Sequence, residues 1–209
     1  MSGRPWLYRF FKRALDMLVS AVALLLLALP MALIALAVRW RMGTPVLYCQ
    51  ERPGLHAQPF RLCKFRSMTA ERDAAGQLLP DGERLTGLGR FLRRTSLDEL
   101  PELWLILTGK MSLVGPRPLL MRYLPRYSER QAQRHAVRPG LTGWAQVNGR
   151  NAVTWEQRLE MDVWYVENAS LALDLRILLR TLGAVLRREG ISQEGHATMP
   201  EFVGPEETS

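Results

Sequence analysis

The stretch that decides the fold is MLVSAVALLLLALPMALIALAV, residues 17–38, because it contains no charged side chain. As an α-helix, these 22 residues would extend roughly 33 Å, about the hydrocarbon thickness of a bilayer. Pro30 lies inside the run, where it removes an amide donor and clashes with the carbonyl group of Leu26. The sequence therefore predicts a membrane segment that bends at Pro30.

Basic residues flank this apolar run on both sides: Arg4, Arg9, Lys12 and Arg13 precede it, and Arg39 and Arg41 follow it. A spanning helix would place one cationic end outside the cell, against the tendency of basic residues to remain in the cytoplasm. A helix that enters, bends and leaves by the same face keeps both ends inside, and we favour this re-entrant arrangement. A plain spanning helix and a cleaved signal peptide are the alternatives.

The rest of the composition limits the classes of partner. The chain has 209 residues and a net charge of +8, which is enough length for one domain beyond the membrane segment. The basic residues are spread along the chain, and no nucleic-acid-binding motif is present, so we expect no nucleic acid partner. Lipid headgroups and a phosphate-bearing substrate explain the charge better.

The two cysteines, Cys49 and Cys63, match no metal-ligand spacing. We interpret them as free thiols of a reducing compartment.

Outside the apolar run, the pattern predicts a small mixed domain. Two short strands, residues 46–50 and 60–68, flank the turn signal Arg52-Pro53-Gly54 and predict a β-hairpin. Residues 71–87 are polar and rich in turn formers, so we expect a loop. The remaining apolar periodicity predicts helices, at residues 88–94, 97–107, 155–167 and 171–188.

Arginine recurs at every fourth position between these helices, as Arg122, Arg126, Arg130, Arg134 and Arg138. On a helix this spacing produces a basic stripe, although Pro125 interrupts the pattern. The stripe predicts either a solvated helical face or a face that meets anionic lipid.

The candidate chemistry lies in the adjacent carboxylates Asp98 and Glu99. Neighbouring side chains on a helix point about 100° apart, so the pair suits two tasks, one carboxylate attacking phosphorus and the other holding a cation. A nearby helix start would keep Asp98 ionised. The competing interpretation is structural, because Ser96 and Glu99 fit a capping box and Arg94 and Asp98 fit an i,i+4 ion pair.

Several cations are candidates for holding phosphate oxygens. Arg117 lies between Pro116 and Pro118, where the stiff backbone favours either a phosphate clamp or a plain rigid turn. Lys64 and Arg66 alternate along a predicted strand and share one face, which either lines an anion site or meets solvent.

The start of the apolar run carries its own charged residues. Arg13 and Asp16 lie three apart on one helical face, which predicts a local ion pair. Lys12 and Arg13 are expected to reach the lipid headgroups and set the depth of entry.

Together these motifs resemble the bacterial sugar transferase family, the monotopic phosphoglycosyl transferases. The resemblance runs from about residue 8 to residue 198 and rests on ordered motifs: Lys12-Arg13 with Asp16, QERPG at 50–54, KFRSM at 64–68, SLDELP at 96–101, MSLVGPRP at 111–118 and RPGLTG at 138–143. The tail, residues 190–198, is similar to the small members of the PglC type.

The resemblance implies a mechanism and roles for individual residues. It implies that Asp98 attacks the sugar-linked phosphate of a UDP-sugar and that Glu99 binds Mg²⁺. It also implies that Lys64, Arg93 and Arg117 hold phosphate oxygens and that Arg138 approaches the nucleotide. UMP then leaves, and a polyprenyl (undecaprenyl) phosphate takes the phosphosugar from Asp98. A direct one-step transfer with Asp98 as base is the alternative mechanism, and a non-catalytic membrane scaffold is the alternative class.

The fold class implied is a compact, mostly helical α/β domain on the membrane. We expect a re-entrant helix broken at Pro30 in residues 1–41, a catalytic core in 42–190 with a β-hairpin and surface-lying amphipathic helices, and an extended tail in 191–209.

We expect the protein to lie on the cytoplasmic face of the bacterial inner membrane. We expect the donor to be an N-acetylated 6-deoxy amino sugar with Asn148 near its acetamido group. Leu29 departs from the serine that many members carry before this proline, which bears on the bend. The oligomeric state is left open.

Overall fold

A computed structural model describes residues 6–149, 153–187 and 201–204 of the chain. Its helices are α1 (Trp6–Met42), α2 (Asp81–Arg84), α3 (Gly87–Arg94), α4 (Glu102–Leu107), α5 (Glu129–Ala132), α6 (Trp144–Asn148), α7 (Trp155–Asn168) and α8 (Leu171–Arg187). Its strands are β1 (Leu47–Pro53), β2 (Pro59–Phe65), β3 (Ser112–Val114) and β4 (Gly140–Thr142). The prediction of a mostly helical α/β domain with one hairpin is confirmed.

Helix α1 carries the apolar run and remains helical through Pro30. One stripe of the helix packs against the rest of the domain on both sides of this proline. Before Pro30, Leu24 and Leu27 pack on the central core; after it, Ile34 and Val38 pack beside Phe65 and Leu92. Both halves of the apolar run therefore contact the same folded body.

The opposite face of α1 is left uncovered. Leu25 is 79% exposed, Leu26 74% and Leu29 70%, and this surface continues to Leu36. The helix is long and apolar enough to cross a membrane. Burying such a surface in hydrocarbon is favourable by about 25 cal/mol per Å², so α1 supplies the membrane contact that the sequence predicts.

The strands β1 and β2 form the expected antiparallel hairpin, in which Cys49 lies opposite Cys63. The expectation of free thiols is wrong, because these two cysteines form a disulfide. Their facing positions across adjacent strands bring the sulfur atoms together, a proximity that the spacing in the sequence does not reveal.

A second, parallel pairing between β3 and β4 was not anticipated from the sequence. Ser112 lies opposite Gly140, and Val114 lies opposite Thr142. The pairing needs glycine, because a Cβ atom added at Gly140 would lie 2.0 Å from the amide nitrogen of Gly115. This close approach fixes the start of the Gly115-Pro116-Arg117-Pro118 segment.

The predicted arginine stripe is wrong. Residues 121–138 form two short 3₁₀ turns, Met121–Arg126 and Gln133–Ala136, on either side of α5, so no single helical face exists. Arg130 pairs with Glu160 and Glu167 on α7, whereas Arg134 is buried against Asp162. The arginines fasten this segment to the rest of the fold.

The helices α3, α7 and α8 agree with their predicted positions to within about two residues. The predicted helix over 97–107 is instead split into a 3₁₀ turn, Leu97–Glu99, and α4. The tail residues 188–200 lie outside the described residues. In the segment that follows, the ring of Phe202 is buried and stacks on Tyr127.

Candidate active site

The carboxylates Asp98 and Glu99 lie on a 3₁₀ turn created by a reversal of the chain. Thr86 caps α3 by accepting a hydrogen bond from the amide of Gly89 at 2.9 Å, and α3 ends before Ser96. Ser96 adopts a left-handed conformation with φ 56° and makes no side-chain cap. The predicted capping box is therefore wrong, and the carboxylate pair has no capping role.

Asp98 points into the protein and is 3% exposed. Its carboxylate lies 3.8 Å from the ammonium group of Lys64 on strand β2. This contact replaces the ion pair that the spacing of Arg94 and Asp98 predicts. A strand and a turn that are far apart in sequence thus bring a carboxylate and a cation together.

Glu99 forms an ion pair with Arg117. The backbone of Arg117 is held on both sides by prolines, and its carbonyl oxygen accepts a hydrogen bond from Arg134 at 2.7 Å. Arg134 is in turn fixed by its buried ion pair with Asp162 at 2.7 Å. Because its backbone is fixed, the Arg117 guanidinium loses less conformational freedom on meeting an anion.

Arg93 lies at the end of α3 and donates from Nε to the hydroxyl of Ser67 at 2.9 Å. Its charge acts on both Asp98 and Glu99, while its terminal nitrogens make no hydrogen bond among the described residues. Five of the predicted site residues therefore meet in one place: Lys64, Arg93, Asp98, Glu99 and Arg117.

Two further charged residues approach this group and were missed in the sequence. Glu102, on the first turn of α4, is 4% exposed and acts electrostatically on Glu99 and Arg117. Arg52, from the hairpin, lies near Arg117, and its buried Nε has no hydrogen-bond partner in the described part of the chain. The signal for Glu102 was its position one helical turn after Glu99. We call Lys64, Arg93, Asp98, Glu99, Glu102 and Arg117 the carboxylate site.

Burial and mutual repulsion set the protonation of the acids in the carboxylate site. Burial, followed by the charge of Glu99, raises the pKa of Asp98, contrary to the expectation that a helix dipole would keep this carboxylate ionised. Burial also raises the pKa of Glu102, to about 8, with a further contribution from Glu99. Although burial opposes it, the ion pair with Arg117 lowers the pKa of Glu99. Glu99 is therefore the acid that stays charged most readily.

The donor set of the carboxylate site fits a divalent cation that shares its coordination with a substrate. No group of three metal-ligating side chains occurs among the described residues, but Mg²⁺ commonly takes one or two carboxylates and completes its shell with phosphate oxygens and water. Asp98, Glu99 and Glu102 repel one another, and a cation would relieve that repulsion.

Arg138 does not join the carboxylate site. It lines a separate cavity of about 620 Å³ at the base of α1, where its Nε donates to the carbonyl oxygen of Gly109 at 2.8 Å. We call this the basal cavity; it is also lined by Arg9, Lys12, Arg13, Asp16 and Tyr165. The expected approach of Arg138 to the nucleotide therefore stays a prediction.

The charged residues at the start of α1 are bound to the protein. Lys12 pairs with Asp174 at 2.8 Å. Arg13 donates to the carbonyl oxygens of Ile106 and Leu107 at the end of α4. The predicted Arg13–Asp16 ion pair is wrong, because Asp16 accepts hydrogen bonds from the hydroxyl of Ser112 and the amide of Leu113. These contacts fasten the membrane helix to the domain.

Asn148 is similarly occupied. Its side-chain oxygen accepts from Arg180 at 2.6 Å, and its amide nitrogen donates to the carbonyl of Trp144 at 2.8 Å. Both polar atoms of Asn148 thus have a protein partner, and the predicted contact with an acetamido group stays a prediction.

Comparison with known proteins extends the resemblance. The profile of the bacterial sugar transferase family matches residues 7–188. The uncharacterized sugar transferase EpsL of Bacillus subtilis is 55% identical over 199 residues, which cover 95% of this chain and 98% of that protein.

Larger relatives match over part of their length. The undecaprenyl-phosphate galactose phosphotransferase of Salmonella typhimurium is 39% identical over 87% of this chain. The UDP-glucose:undecaprenyl-phosphate glucose-1-phosphate transferase of Escherichia coli is 41% identical over 83% of it. The matched regions make up 42% and 40% of those two proteins.

Proposed function

The chain belongs to the bacterial sugar transferase family, and from that premise we propose that it transfers a sugar 1-phosphate from a UDP-sugar to polyprenyl phosphate. Membership in the family confirms the prediction of a transferase. The observation that carries the reaction is the carboxylate site, in which a buried carboxylate, Asp98, faces Lys64, Arg93 and Arg117. The undecaprenyl phosphate and UDP-linked sugars in the names of the relatives support the same pair of substrates.

In the proposed first step, a carboxylate oxygen of Asp98 attacks the phosphorus that carries the sugar. The bond from that phosphorus to the oxygen bridging the two phosphates breaks, and UMP leaves with the bridging oxygen. Asp98 must be ionised to attack, and the positive charges of Lys64, Arg93 and Arg117 favour that form. The same cations reduce the repulsion between the carboxylate and the phosphate.

In the proposed second step, a phosphate oxygen of polyprenyl phosphate attacks the phosphorus of the Asp98 adduct. The bond between phosphorus and the Asp98 oxygen breaks, which regenerates the carboxylate and releases polyprenyl-diphosphosugar. Glu99 would hold Mg²⁺ with help from Glu102. When bound, the ion supplies positive charge near the diphosphate oxygens. The guanidinium of Arg117 would donate paired hydrogen bonds to the same oxygens.

Kinetics with two varied substrates distinguish the proposed mechanisms. We expect UMP to be released and the reciprocal plots to be parallel, as a covalent intermediate requires. Intersecting lines with UMP release would favour the one-step transfer with Asp98 as base. An absence of UMP release with UDP-linked glucose, galactose and N-acetylated amino sugars would favour the membrane scaffold.

For the donor, we propose an N-acetylated 6-deoxy amino sugar, on the basis of tail residues 192–198, which lie outside the described residues. The two relatives described above are named for galactose and for glucose. Competition among UDP-glucose, UDP-galactose and a UDP-linked N-acetylated 6-deoxy amino sugar separates these possibilities. A preference for either hexose would overturn the proposed sugar and leave the reaction class intact.

We further propose that both ends of the apolar run lie on the cytoplasmic face. Asp16, immediately before the run, and Val38, at its end, are both buried against the same domain. A straight helix crossing the bilayer would carry one of these residues to the far side, away from the domain that contains the other. The re-entrant path with a bend at Pro30 avoids that separation.

Single cysteines placed at Arg9 and Arg41, in a background without Cys49 and Cys63, test this topology. Both replaced residues are exposed, and we expect both new thiols to resist a membrane-impermeant reagent added outside intact cells. Labelling of one thiol but not the other would indicate a spanning helix.

A further inference from the structure

The basal cavity is a cationic site separate from the carboxylate site. Its volume, about 620 Å³, lies within the range of ligand-binding pockets. It opens beside the first turns of α1 and the segment that ends at Arg138. No residue of the carboxylate site lines it.

Positive charge in this cavity exceeds the negative charge available to it. Of its acids, Asp16 is engaged by Ser112 and Leu113, and Glu167 pairs with Arg130 on the outer surface. Among the described residues, no carboxylate lies within ion-pairing distance of Arg9, Arg13 or Arg138. Lys12 has a carboxylate partner in Asp174, and Asp16 acts on Arg13 only at longer range, so Arg9, Arg13 and Arg138 line the cavity without an ion pair to any described residue.

Some hydrogen-bond donors also remain uncommitted, because each terminal nitrogen of an arginine carries two N–H groups. The terminal nitrogens of Arg13 donate to the carbonyl oxygens of Ile106 at 2.6 Å and Leu107 at 2.8 Å. Arg138 donates only through Nε among the described contacts, so both of its terminal nitrogens are available. The Arg13 and Arg138 guanidiniums lie close enough to repel each other, and an anion placed between them would remove that repulsion.

The position of the cavity along α1 indicates where that anion comes from. The cavity contacts α1 just before its apolar run, next to exposed aromatic rings: Trp6 is 71% exposed, Phe10 60% and Phe11 54%. Exposed aromatic side chains at the end of a membrane segment are typical of headgroup depth. An anion at that depth belongs to a lipid.

We propose that the basal cavity binds the phosphate group of an anionic bilayer phospholipid between Arg13 and Arg138, with Arg9 at the rim. The bound lipid bridges α1 to the segment that follows α4 and steadies the membrane helix at its entry point. This role is independent of the transfer reaction.

Thermal unfolding of the full chain in a neutral detergent tests the site, with phosphatidylglycerol or phosphatidylcholine titrated into the micelles. We expect phosphatidylglycerol to raise the melting temperature and phosphatidylcholine to leave it unchanged, because a ligand that binds the folded state stabilises it.

Two variants test the residues of the site. Arg9→Gln and Arg138→Gln should each weaken the apparent phosphatidylglycerol affinity about fivefold, the effect of roughly one basic residue near an anionic lipid. Arg9 is exposed and makes no hydrogen bond or ion pair in the described part of the chain, so its variant tests the site without disturbing the fold.

Arg61→Gln is the matched control, since Arg61 is exposed on β2 and lies outside the cavity. An equal loss in this variant, or equal stabilisation by the two lipids, would overturn the proposal in favour of diffuse attraction. Stabilisation by inorganic phosphate equal to that by phosphatidylglycerol would overturn the lipid assignment and identify a site for free phosphate. Stabilisation by UDP that is lost in Arg138→Gln would instead assign Arg138 to the nucleotide.

Discussion

Arginines occupy two regions of this molecule and meet different partners in each. In the carboxylate site, Arg117 faces Glu99, and Lys64 faces Asp98. In the basal cavity, Arg13 and Arg138 face backbone carbonyls and each other. The first arrangement places the proposed nucleophile, Asp98, beside positive charges that would attract a phosphate, so it suits a reaction. The second offers positive charge without a nucleophile, so it suits binding alone.

Replacing the proposed nucleophile is the test of this comparison with the largest expected effect. Asp98→Asn keeps the shape of the side chain but removes its charge, so turnover should fall at least ~10³-fold while folding is retained. Steady-state UMP release by the purified variant measures the loss. Near-normal turnover would contradict the proposal that the carboxylate site, unlike the basal cavity, carries out the reaction.

Arg117→Lys asks whether the carboxylate site needs the fork of a guanidinium or only its charge. Lysine cannot form the paired N–H contacts of arginine, so we expect a loss of about 10²-fold in kcat/KM. The same measurement on Arg130→Lys is a control, because Arg130 forms only surface ion pairs with Glu160 and Glu167. Equal rates for Arg117→Lys and the parent enzyme would reduce Arg117 to a charge or a turn residue.

Glu99→Gln tests the assignment of the cation to the carboxylate site. We expect the magnesium concentration for half-maximal rate to rise about tenfold, as is usual when a group that supports a metal is lost. A magnesium titration of the rate gives the value, with Glu160→Gln as a surface control. An unchanged titration curve would show that Glu99 serves Arg117 and not the ion.

Glu102→Gln is expected to have the smallest effect, on the pH dependence of stability. Burial and Glu99 raise the pKa of Glu102 from 4.5 to about 8, so the stability that its proton contributes is complete only below pH 4.5 and is lost progressively until the pH passes 8. Glutamine does not titrate. The variant should therefore gain about 2–4 °C over the parent between pH 6 and pH 9, the shift that accompanies ~1 kcal/mol in a chain of this size.

Melting curves at the two pH values measure that difference. If the difference in melting temperature between Glu102→Gln and the parent is the same at both pH values, the charges around Glu102 repel it less than the geometry indicates.

The sequence predicted well those features that depend on local pattern. The apolar run of α1, the hairpin and helices α7 and α8 follow from periodicity and turn residues, and the structure confirms them. The grouping of Lys64, Arg93 and Arg117 around Asp98 followed from the family resemblance, because their separation along the chain carries no local signal.

Most of the errors arise where the tertiary fold overrides a local pattern. Ser96 was expected to cap a helix, but its left-handed backbone is imposed by the turn between α3 and α4. The regular spacing of the arginines from Arg122 to Arg138 resembled a helical face, yet their partners lie in separate parts of the folded chain: Glu201 for Arg122 and Arg126, Glu160 and Glu167 for Arg130, and Asp162 for Arg134. Cys49 and Cys63 form a disulfide because the hairpin places them opposite each other. Local spacing identifies neighbours on one helix and cannot identify the partner that a tertiary fold provides.

The central claim is that Asp98 forms a covalent bond to the phosphosugar, and intact-mass analysis tests it most directly. The purified chain would be incubated with each candidate UDP-sugar in the absence of polyprenyl phosphate. The account predicts a mass increase equal to one phosphosugar, lost on addition of polyprenyl phosphate and absent in Asp98→Asn. Catalytic turnover without any adduct under rapid quenching, or an adduct that persists in Asp98→Asn, would contradict it.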